Sequence, residues 1–139
     1  LSIWVGEQLS IVGGLHPIII IAIIALMMTF LTELASNTAT IEMLLPVLAG
    51  ISIHVNINPL LFMLPATISA SMAFMLPVAT PPNAIVFGSN KITVMQMART
   101  GFVLNMLGVI IITLITYFWG SWVFGIDMSV MPTWAVMGK

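Results

Sequence analysis

Residues 31–40, with the sequence LTELASNTAT, interrupt an otherwise apolar region with polar side chains. The segment carries one carboxylate, Glu33, among a series of hydroxyl and amide groups. These groups belong to Thr32, Ser36, Asn37, Thr38 and Thr40. A second polar interruption, residues 79–83 with the sequence ATPPN, follows later in the chain. Polar residues at membrane depth are costly and therefore usually mark a site. We expect the two interruptions to form one half of a binding site for a substrate and a cation.

The composition excludes several classes of protein. Of the 139 residues, 60% are hydrophobic and only 5% are charged, whereas a soluble domain carries roughly 25% charged residues. The sequence therefore predicts an all-α, multi-pass integral membrane protein surrounded by lipid. A net charge of -1 argues against nucleic acid as a partner, since that requires a basic patch. The absence of cysteine from the sequence excludes disulfides and thiolate metal sites. No metalloprotease motif or nucleophile elbow is present, so we predict that the protein is not an enzyme.

Residues 17–53 consist of two apolar runs on either side of the first interruption. Each run is shorter than the ~20 residues that cross the hydrocarbon core. A single helix over the whole region, at ~1.5 Å per residue, would extend far past the bilayer. We therefore predict a re-entrant helical hairpin with its tip near residues 32–40. Residues 1–16 are expected to be an interfacial lead-in, and residues 54–59 a loop.

The remaining chain suggests one broken and one continuous transmembrane helix. Residues 60–88 are expected to form the broken helix, with a spanning part over 60–78 and an elbow at 79–83. Residues 89–100 are predicted to be interfacial, residues 101–119 to form the last transmembrane helix, and residues 120–139 to be a tail. Lys91 and Arg99 place the segment 89–100 in the cytoplasm by the positive-inside tendency. The lead-in, the 54–59 loop and the tail would then be external, and the hairpin would enter from outside.

The chemistry of the first interruption follows from its helix ends. A helix that stops inside the membrane leaves its last carbonyls unpaired and partly negative, and one that starts there leaves its first N–H groups unpaired and partly positive. The hairpin tip would therefore offer carbonyls near residues 32–35 to a cation and N–H groups near residues 37–40 to an anion. Discontinuous helices of transporters use their ends in this way.

The second interruption is expected to supply further oxygen ligands. Pro81 and Pro82 lack N–H groups, so the carbonyls of Pro77 and Val78 would lose their helical donors. With the oxygens of the Thr80 and Asn83 side chains, these carbonyls would suit a hard cation. We take the cation to be sodium because the ligands are neutral.

Less specific interpretations remain open for several residues. Ser and Thr side chains in membrane helices often bond to a preceding carbonyl, and two prolines can simply kink a helix. Glu33 is either a hydrogen-bond partner behind the site or a proton-linked group. Glu42 is expected to pack or to line a pore. His16 is expected to flank a helix start, and His54 to lie in a loop.

The motif Thr32-Glu33 with 36–38 (SNT), followed by LPVATPPNAIVFG at residues 76–88, resembles the divalent anion/sodium symporter family. Members carry dicarboxylates, citrate or sulfate, and the resemblance covers essentially all of this chain and the C-terminal third of such proteins. It implies a set of substrate contacts: Ser36, Asn37, Thr38, Thr80 and Pro81. It also implies a sodium site: Thr32, Ala35, Asn37 and Ala79.

The family resemblance further implies an inverted-repeat transporter that works as a homodimer by an elevator-type movement. The first repeat and the scaffold would then belong to a longer protein, expected in the plasma membrane. The leading hypothesis is a sodium-coupled carrier of a di- or tricarboxylate such as succinate or citrate. The alternatives are a sulfate carrier or anion exchanger of the same superfamily, or a membrane scaffold subunit that transports nothing.

Overall fold

The computed structural model describes residues 14–125, 127 and 130–136, and within these residues all regular structure is helical. The all-α class is therefore confirmed. Most of the predicted lead-in 1–16, and part of the tail 120–139, lie outside the described residues. The helices are α1 (Pro17–Leu34), α2 (Asn37–His54), α3 (Pro59–Ser69), α4 (Pro81–Gly88), α5 (Val94–Leu114) and α6 (Thr133–Val136). Helix α5 continues through a π-helical turn (Ile115–Gly120) into a last α-helical turn (Ser121–Val123).

Helices α1 and α2 are separated only by Ala35 and Ser36, a narrower break than the tip expected at residues 32–40. Each helix has 18 residues and is thus ~27 Å long, which is longer than the apolar run from which it was predicted. Of the two, Pro17–Leu34 is long and apolar enough to cross a membrane. The threonines do not interrupt the helices, because their hydroxyls donate to carbonyls of the same turn. Thr32 Oγ1 donates to Thr29 O at 3.1 Å, and Thr40 Oγ1 donates to Ser36 O at 2.9 Å.

The start of α1 and the end of α2 follow from local sequence signals. Pro17 occupies the first turn of α1, where its missing N–H is harmless. His16 caps that turn, because its Nδ1 accepts from the backbone N–H of Ile18 at 3.4 Å, so its role as a helix flank is confirmed. The predicted loop 54–59 is shorter than expected, since His54 still belongs to α2. Asn56 then adopts a left-handed conformation, with φ of 55°, which Asn tolerates better than most residues.

Helix α3 ends at Ser69, nine residues before the predicted end of the spanning helix. Residues 70–80 are non-helical, and we call this segment the break. The non-helical segment is therefore longer than the elbow predicted at residues 79–83, and it begins nine residues earlier. The prolines Pro81 and Pro82 do not interrupt a helix. They form the first turn of α4, where proline is favoured.

Helix α5 begins at Val94, so the predictions of an interfacial segment 89–100 and a last helix 101–119 are wrong at their shared boundary. The physical reason is a capping box. Gln96 N donates to Thr93 Oγ1 at 3.2 Å, and Thr93 N donates to Gln96 Oε1 at 2.9 Å. This reciprocal pair satisfies two N–H groups and fixes the helix start.

Helix α3 lies at the centre of the packing and contacts α1, α2 and α5, while α1 also packs along α5. The largest cluster of buried apolar side chains joins α1, α2 and α3. Its buried members are Ile20, Ile21, Ile24, Met28, Leu48, Leu61, Phe62, Ala66 and Ala70. Leu15, Val55, Ile57 and Tyr117 pack against the same cluster.

The distribution of polarity is the reverse of that in a soluble protein. Large apolar side chains are exposed along α1 and α5, for example Ile23 and Phe118, at 52% and 64% exposure. Polar side chains such as Glu33, Asn83 and Asn105 are buried. Two helical stretches are long and apolar enough to cross a membrane, Pro17–Leu34 and Val94–Val123. An apolar exterior with buried polar groups is what lipid as a solvent requires.

Candidate functional site

A cavity of about 450 Å³ lies where α1 ends, α2 begins and the break meets α4. Its lining comes from both polar interruptions: Glu33, Leu34, Ala35, Ser36, Asn37, Val78, Ala79, Thr80 and Pro81. The structure thus brings together two segments that are well separated in sequence.

Most of the residues singled out from the sequence line this cavity: Ala35, Ser36, Asn37, Ala79, Thr80 and Pro81. Two do not belong to its lining. Thr32 is fully buried behind it, with its hydroxyl held by the Thr29 carbonyl. The Thr38 side chain is exposed on α2, so only its backbone N–H belongs to the helix end that borders the cavity.

The junction between α1 and α2 presents donors and acceptors side by side. The last bond of α1 runs from Ala35 N to Leu31 O at 3.1 Å, and the first bond of α2 runs from Thr40 N to Ser36 O at 2.9 Å. The N–H groups of residues 37–39 therefore have no acceptor within their helix, and the Ser36 side chain does not cap them. This end of α2 is partly positive, while the carbonyl end of α1 beside it is partly negative.

The start of α4, on the other side of the cavity, offers no comparable donors. Pro81 and Pro82 have no N–H, and the N–H of Asn83 donates to Thr80 Oγ1 at 3.4 Å. Any anion in the cavity would therefore find its N–H donors at α2 and not at α4. The two helix N-termini are chemically different because of the double proline.

The role expected for Asn83 is corrected by its contacts. Its Nδ2 donates to Ala73 O at 2.8 Å and to Leu76 O at 3.0 Å, and the residue is 9% exposed. Asn83 thus satisfies carbonyls of the break. Pro77 and Val78 lie in a turn before α4, so their carbonyls are not released from a helix by the prolines as predicted.

One buried acceptor at the cavity has no partner. Asn37 Oδ1 is buried, and within the described chain it accepts no hydrogen bond. Such an orphaned oxygen next to free helix carbonyls fits a monovalent cation with neutral oxygen ligands. Among the residues that the structure describes, no three His, Cys, Asp or Glu side chains group into a metal site.

Glu33 holds the break in place. Of the two roles considered for it, this is that of a hydrogen-bond partner behind the site. The carboxylate is 4% exposed and accepts three hydrogen bonds. Oε1 accepts from Met75 N at 2.9 Å and from Asn105 Nδ2 at 2.7 Å, and Oε2 accepts from Leu76 N at 3.1 Å. The backbone of the break is thus bonded to α1 and, through the same carboxylate, connected to α5.

Sequence reasoning did not single out Asn105 or Gly101, both on α5. A side chain on Gly101 would collide with the backbone of Phe74 and Met75. Asn105 is fully buried and bonds to Glu33. The signal for Asn105 was present, because it is the single amide within the otherwise apolar residues 101–112, and such residues in membrane helices usually have a partner.

The helical fold, the apolar exterior and the enclosed polar groups define an integral, multi-pass membrane protein. The chain belongs to the sodium:sulfate symporter family, whose transmembrane-region model matches residues 1–126. This match confirms the family resemblance stated from the sequence. Because the family consists of transporters, it also confirms the prediction that the protein is not an enzyme.

Two similar proteins carry names that state a function. The sodium-dependent dicarboxylate transporter SdcS of Staphylococcus saprophyticus is 50% identical over 129 residues, which are 93% of this chain and 25% of the relative. The transporter of the same name from Staphylococcus aureus (strain USA300) gives the same identity and the same shares. The chain thus spans about a quarter of the length of these relatives.

Proposed function

We propose that this chain is the C-terminal part of a secondary active transporter that couples sodium to the uptake of a di- or tricarboxylate such as succinate or citrate. The observation that carries the proposal is the shared cavity, where the uncapped N–H groups of α2 and the unpartnered Oδ1 of Asn37 lie beside the end of α1. The identity with two sodium-dependent dicarboxylate transporters supports the choice of ion and substrate.

The cation is proposed to bind at the carbonyl end of α1. Its ligands would be carbonyl oxygens and one side-chain amide: Thr32, Ala35, Asn37 and Ala79. The buried, unpartnered Asn37 Oδ1 supports this assignment, since it is an acceptor that needs a partner. Ala35 and Ala79 border the same cavity from the two interruptions.

The substrate carboxylate is proposed to bind at the start of α2, next to the cation. Its contacts would be Ser36, Asn37 and Thr38, with Thr80 and Pro81 as the opposite wall. For Thr38 the backbone N–H is the supported contact, because its side chain is exposed. None of the residues that line the cavity within the described chain is Lys or Arg. The anion would therefore depend on the bound cation for charge compensation, which provides a physical basis for coupling.

The re-entrant placement of α1 and α2 is part of the proposal. The rings of His16 and Tyr117 lie 5.8 Å apart, which supports a position of the start of α1 and of the π-helical turn after α5 at the same side. Arg99 on α5 and Trp119 in the π-helical turn that follows it are twenty residues apart, or ~30 Å, which matches the hydrocarbon thickness of ~30 Å. Asn105 lies between them and bonds to Glu33, so the tip of the hairpin would lie within the hydrocarbon.

The proposal also includes an orientation in the membrane, an assembly and a transport movement. Lys91 and Arg99 would be cytoplasmic, and residues 54–59 external. The whole transporter would be a homodimer in the plasma membrane, contain a second, inverted copy of this unit, and move its substrate by an elevator-type mechanism. The orientation rests on the positive-inside tendency, and the assembly, the inverted copy and the movement rest on the family resemblance.

Sulfate is the second candidate substrate, because the matching family model is described by sodium and sulfate. Sulfate is a divalent anion and would use the same N–H groups at α2. A dicarboxylate differs in having two separated charges, of which only one would lie at this half of the site.

The proposal is tested with the full-length transporter reconstituted in liposomes. Uptake of labelled succinate, citrate and sulfate is measured with an inward sodium gradient, and with potassium replacing sodium as the control. We expect sodium-dependent uptake of a carboxylate that excess unlabelled succinate inhibits. Uptake that is equal in potassium would contradict sodium coupling, and uptake of sulfate alone would establish the second candidate.

A further inference from the structure

One face of α5 is shaped to receive the break. Gly101, Asn105 and Gly108 follow one another at spacings of four and three residues, so they lie on the same face of the helix. A Cβ on Gly108 would lie 3.3 Å from the Sδ of Met72, and a Cβ on Gly101 would lie 2.6 Å from the Cα of Met75. The two glycines thus contact the two ends of one short stretch of the break.

The dimensions of helix and break agree. Gly101 and Gly108 are seven residues apart, which is ~10.5 Å along a helix. The three residue steps from Met72 to Met75 cover at most ~11 Å when extended. Residues 72–75 therefore run along this face of α5 in the opposite direction to the helix, and Asn105 lies midway between the two glycines.

Asn105 connects this face to Glu33. Its Nδ2 donates to Glu33 Oε1 at 2.7 Å, and the same oxygen accepts from Met75 N at 2.9 Å. The other carboxylate oxygen accepts from Leu76 N at 3.1 Å. Asn105 is thus a donor to the carboxylate that holds the break, and its own Oδ1 is buried without a partner within the described residues. Only the donor half of this amide is used.

The bonded residues lie immediately before the cavity wall. Leu76 precedes Val78, Ala79 and Thr80, which line the cavity, and its carbonyl is fixed from the other side by Asn83 Nδ2. A change in the orientation of the Glu33 carboxylate would move the N–H groups of Met75 and Leu76, and with them this wall. Asn105 is the side chain on α5 that fixes this orientation.

We propose that Asn105 is a positioning residue for the ion and substrate site, acting through Glu33 to set the position of residues 75–80. The proposal rests on the proposed transport function for its kinetic consequences, and on the hydrogen bonds alone for its structural ones. A merely space-filling role for Asn105 makes a different prediction, since a side chain of similar size would then replace it without effect on the cavity wall.

The kinetic test compares substitutions in the reconstituted full-length transporter. Asn105→Asp removes the donor and places a second carboxylate against Glu33. We expect the sodium concentration for half-maximal uptake to rise ~10-fold, which corresponds to the loss of one charge-assisted hydrogen bond. Glu33→Gln combined with Asn105→Asp restores the bond between the two side chains and should recover part of this shift. Recovery is incomplete because the amide NH2 of Gln cannot also accept from Met75 N. Thr113→Val is the control, because Thr113 is a buried hydroxyl on α5 that bonds only to its own helix, at Val109 O.

A second measurement does not depend on transport. This chain contains no native cysteine, so Val78→Cys, at a position that is 86% exposed, provides the one thiol within it. Any cysteine elsewhere in the full-length protein is first replaced by serine. The rate of modification of the thiol at position 78 by a soluble maleimide is compared in sodium-free buffer with and without Asn105→Asp. Asn105→Leu, uncharged and of similar size, replaces Asn105→Asp if that variant does not reach the membrane. We expect faster modification in either Asn105 variant and an unchanged rate with Thr113→Val.

The outcomes separate the two proposals. A rise in the half-maximal sodium concentration that the double substitution partly reverses, with faster thiol modification, supports the positioning role. Wild-type sodium activation and thiol modification in well-expressed Asn105 variants would overturn it, as would equal shifts in the Thr113→Val control. If the unsubstituted protein shows no sodium-dependent uptake, the transport function fails, and the thiol measurement still decides whether Asn105 positions the break.

Discussion

The carbonyl group of Phe74 lies against Gly101, in the place where another residue would carry its Cβ atom. The backbone of the break and the backbone of α5 are therefore in direct contact. The atoms in the way belong to the main chain, which cannot rotate aside as a flexible side chain can. Glycine at position 101 is thus required for the break to reach Glu33.

Gly101→Ala is expected to destabilise the protein by ~1–3 kcal/mol, the typical cost of overpacking a filled interior. The matched control is Gly50→Ala in α2, where an added Cβ meets nothing within 4 Å. That change should be neutral or stabilise the protein by up to ~1 kcal/mol, because alanine favours the helix. The midpoint of thermal unfolding of the purified transporter in detergent measures both. Equal midpoints for the two variants would contradict the close contact.

Asn83→Asp is expected to destabilise the break without changing the size of the side chain. The substitution removes two donated hydrogen bonds, to Ala73 O and Leu76 O, and places carboxylate oxygens against those carbonyls. Leaving buried acceptors unpaired costs ~1–3 kcal/mol. Asn90→Asp is the control, since Asn90 is exposed and its φ of 57° also suits Asp. We expect a lower unfolding temperature for Asn83→Asp alone, and the same loss in both variants would refute the role of the amide.

Two substitutions of Asn37 should affect sodium and substrate in opposite ways. Asn37→Ala removes the unpartnered Oδ1 and should raise the sodium concentration for half-maximal uptake. Asn37→Asp keeps an oxygen, adds a negative charge at a helix start where it is tolerated, and should leave sodium activation unchanged or stronger. The same charge repels the substrate, so the KM for succinate should rise by roughly tenfold, which corresponds to ~1.4 kcal/mol.

The control for Asn37 is Asn56→Asp, an exposed position in the turn after α2. Both kinetic constants are measured in proteoliposomes and normalised to the amount of reconstituted protein. A rise of the half-maximal sodium concentration and of the KM for succinate by the same factor, in both Asn37→Ala and Asn37→Asp, would indicate a general loss of structure. The assignment of Asn37 to the cation would then be wrong.

The double substitution Pro81→Ala with Pro82→Ala tests the contrast between the two helix starts. The structure places both prolines in the first turn of α4, so their replacement does not extend α3. It adds two N–H donors beside the proposed cation, and we expect weaker sodium activation with substrate affinity retained at saturating sodium. Pro17→Ala, at the equivalent position of α1 and remote from the cavity, is the control. Unshifted sodium activation in the double variant would show that the missing donors are irrelevant.

The sequence by itself determined the class of protein and the two segments that form the cavity. Seven charges in 139 residues exclude a water-facing surface, so lipid as the solvent follows from composition alone. Pro17 is a local signal that the start of α1 obeys. The Thr93–Gln96 capping box was also present in the sequence, but the predicted start of the last helix did not use it. Ser36, Asn37 and Thr80 were identifiable because polar residues are rare in this chain, and all three line one cavity.

Only the tertiary structure decided where the helices end and what the polar side chains do. An apolar run does not show where a membrane helix stops, since α3 ends at Ser69 although apolar residues continue to Val78. The N–H groups of Met75 and Leu76 bond to Glu33, a residue of another helix and more than forty positions away. Asn105 bonds to the same carboxylate across 72 positions. In a continuous helix, the N–H groups of Met75 and Leu76 would bond to carbonyls of the same helix; here Glu33 satisfies them instead. Local propensity cannot reveal such partners, because they are distant in sequence.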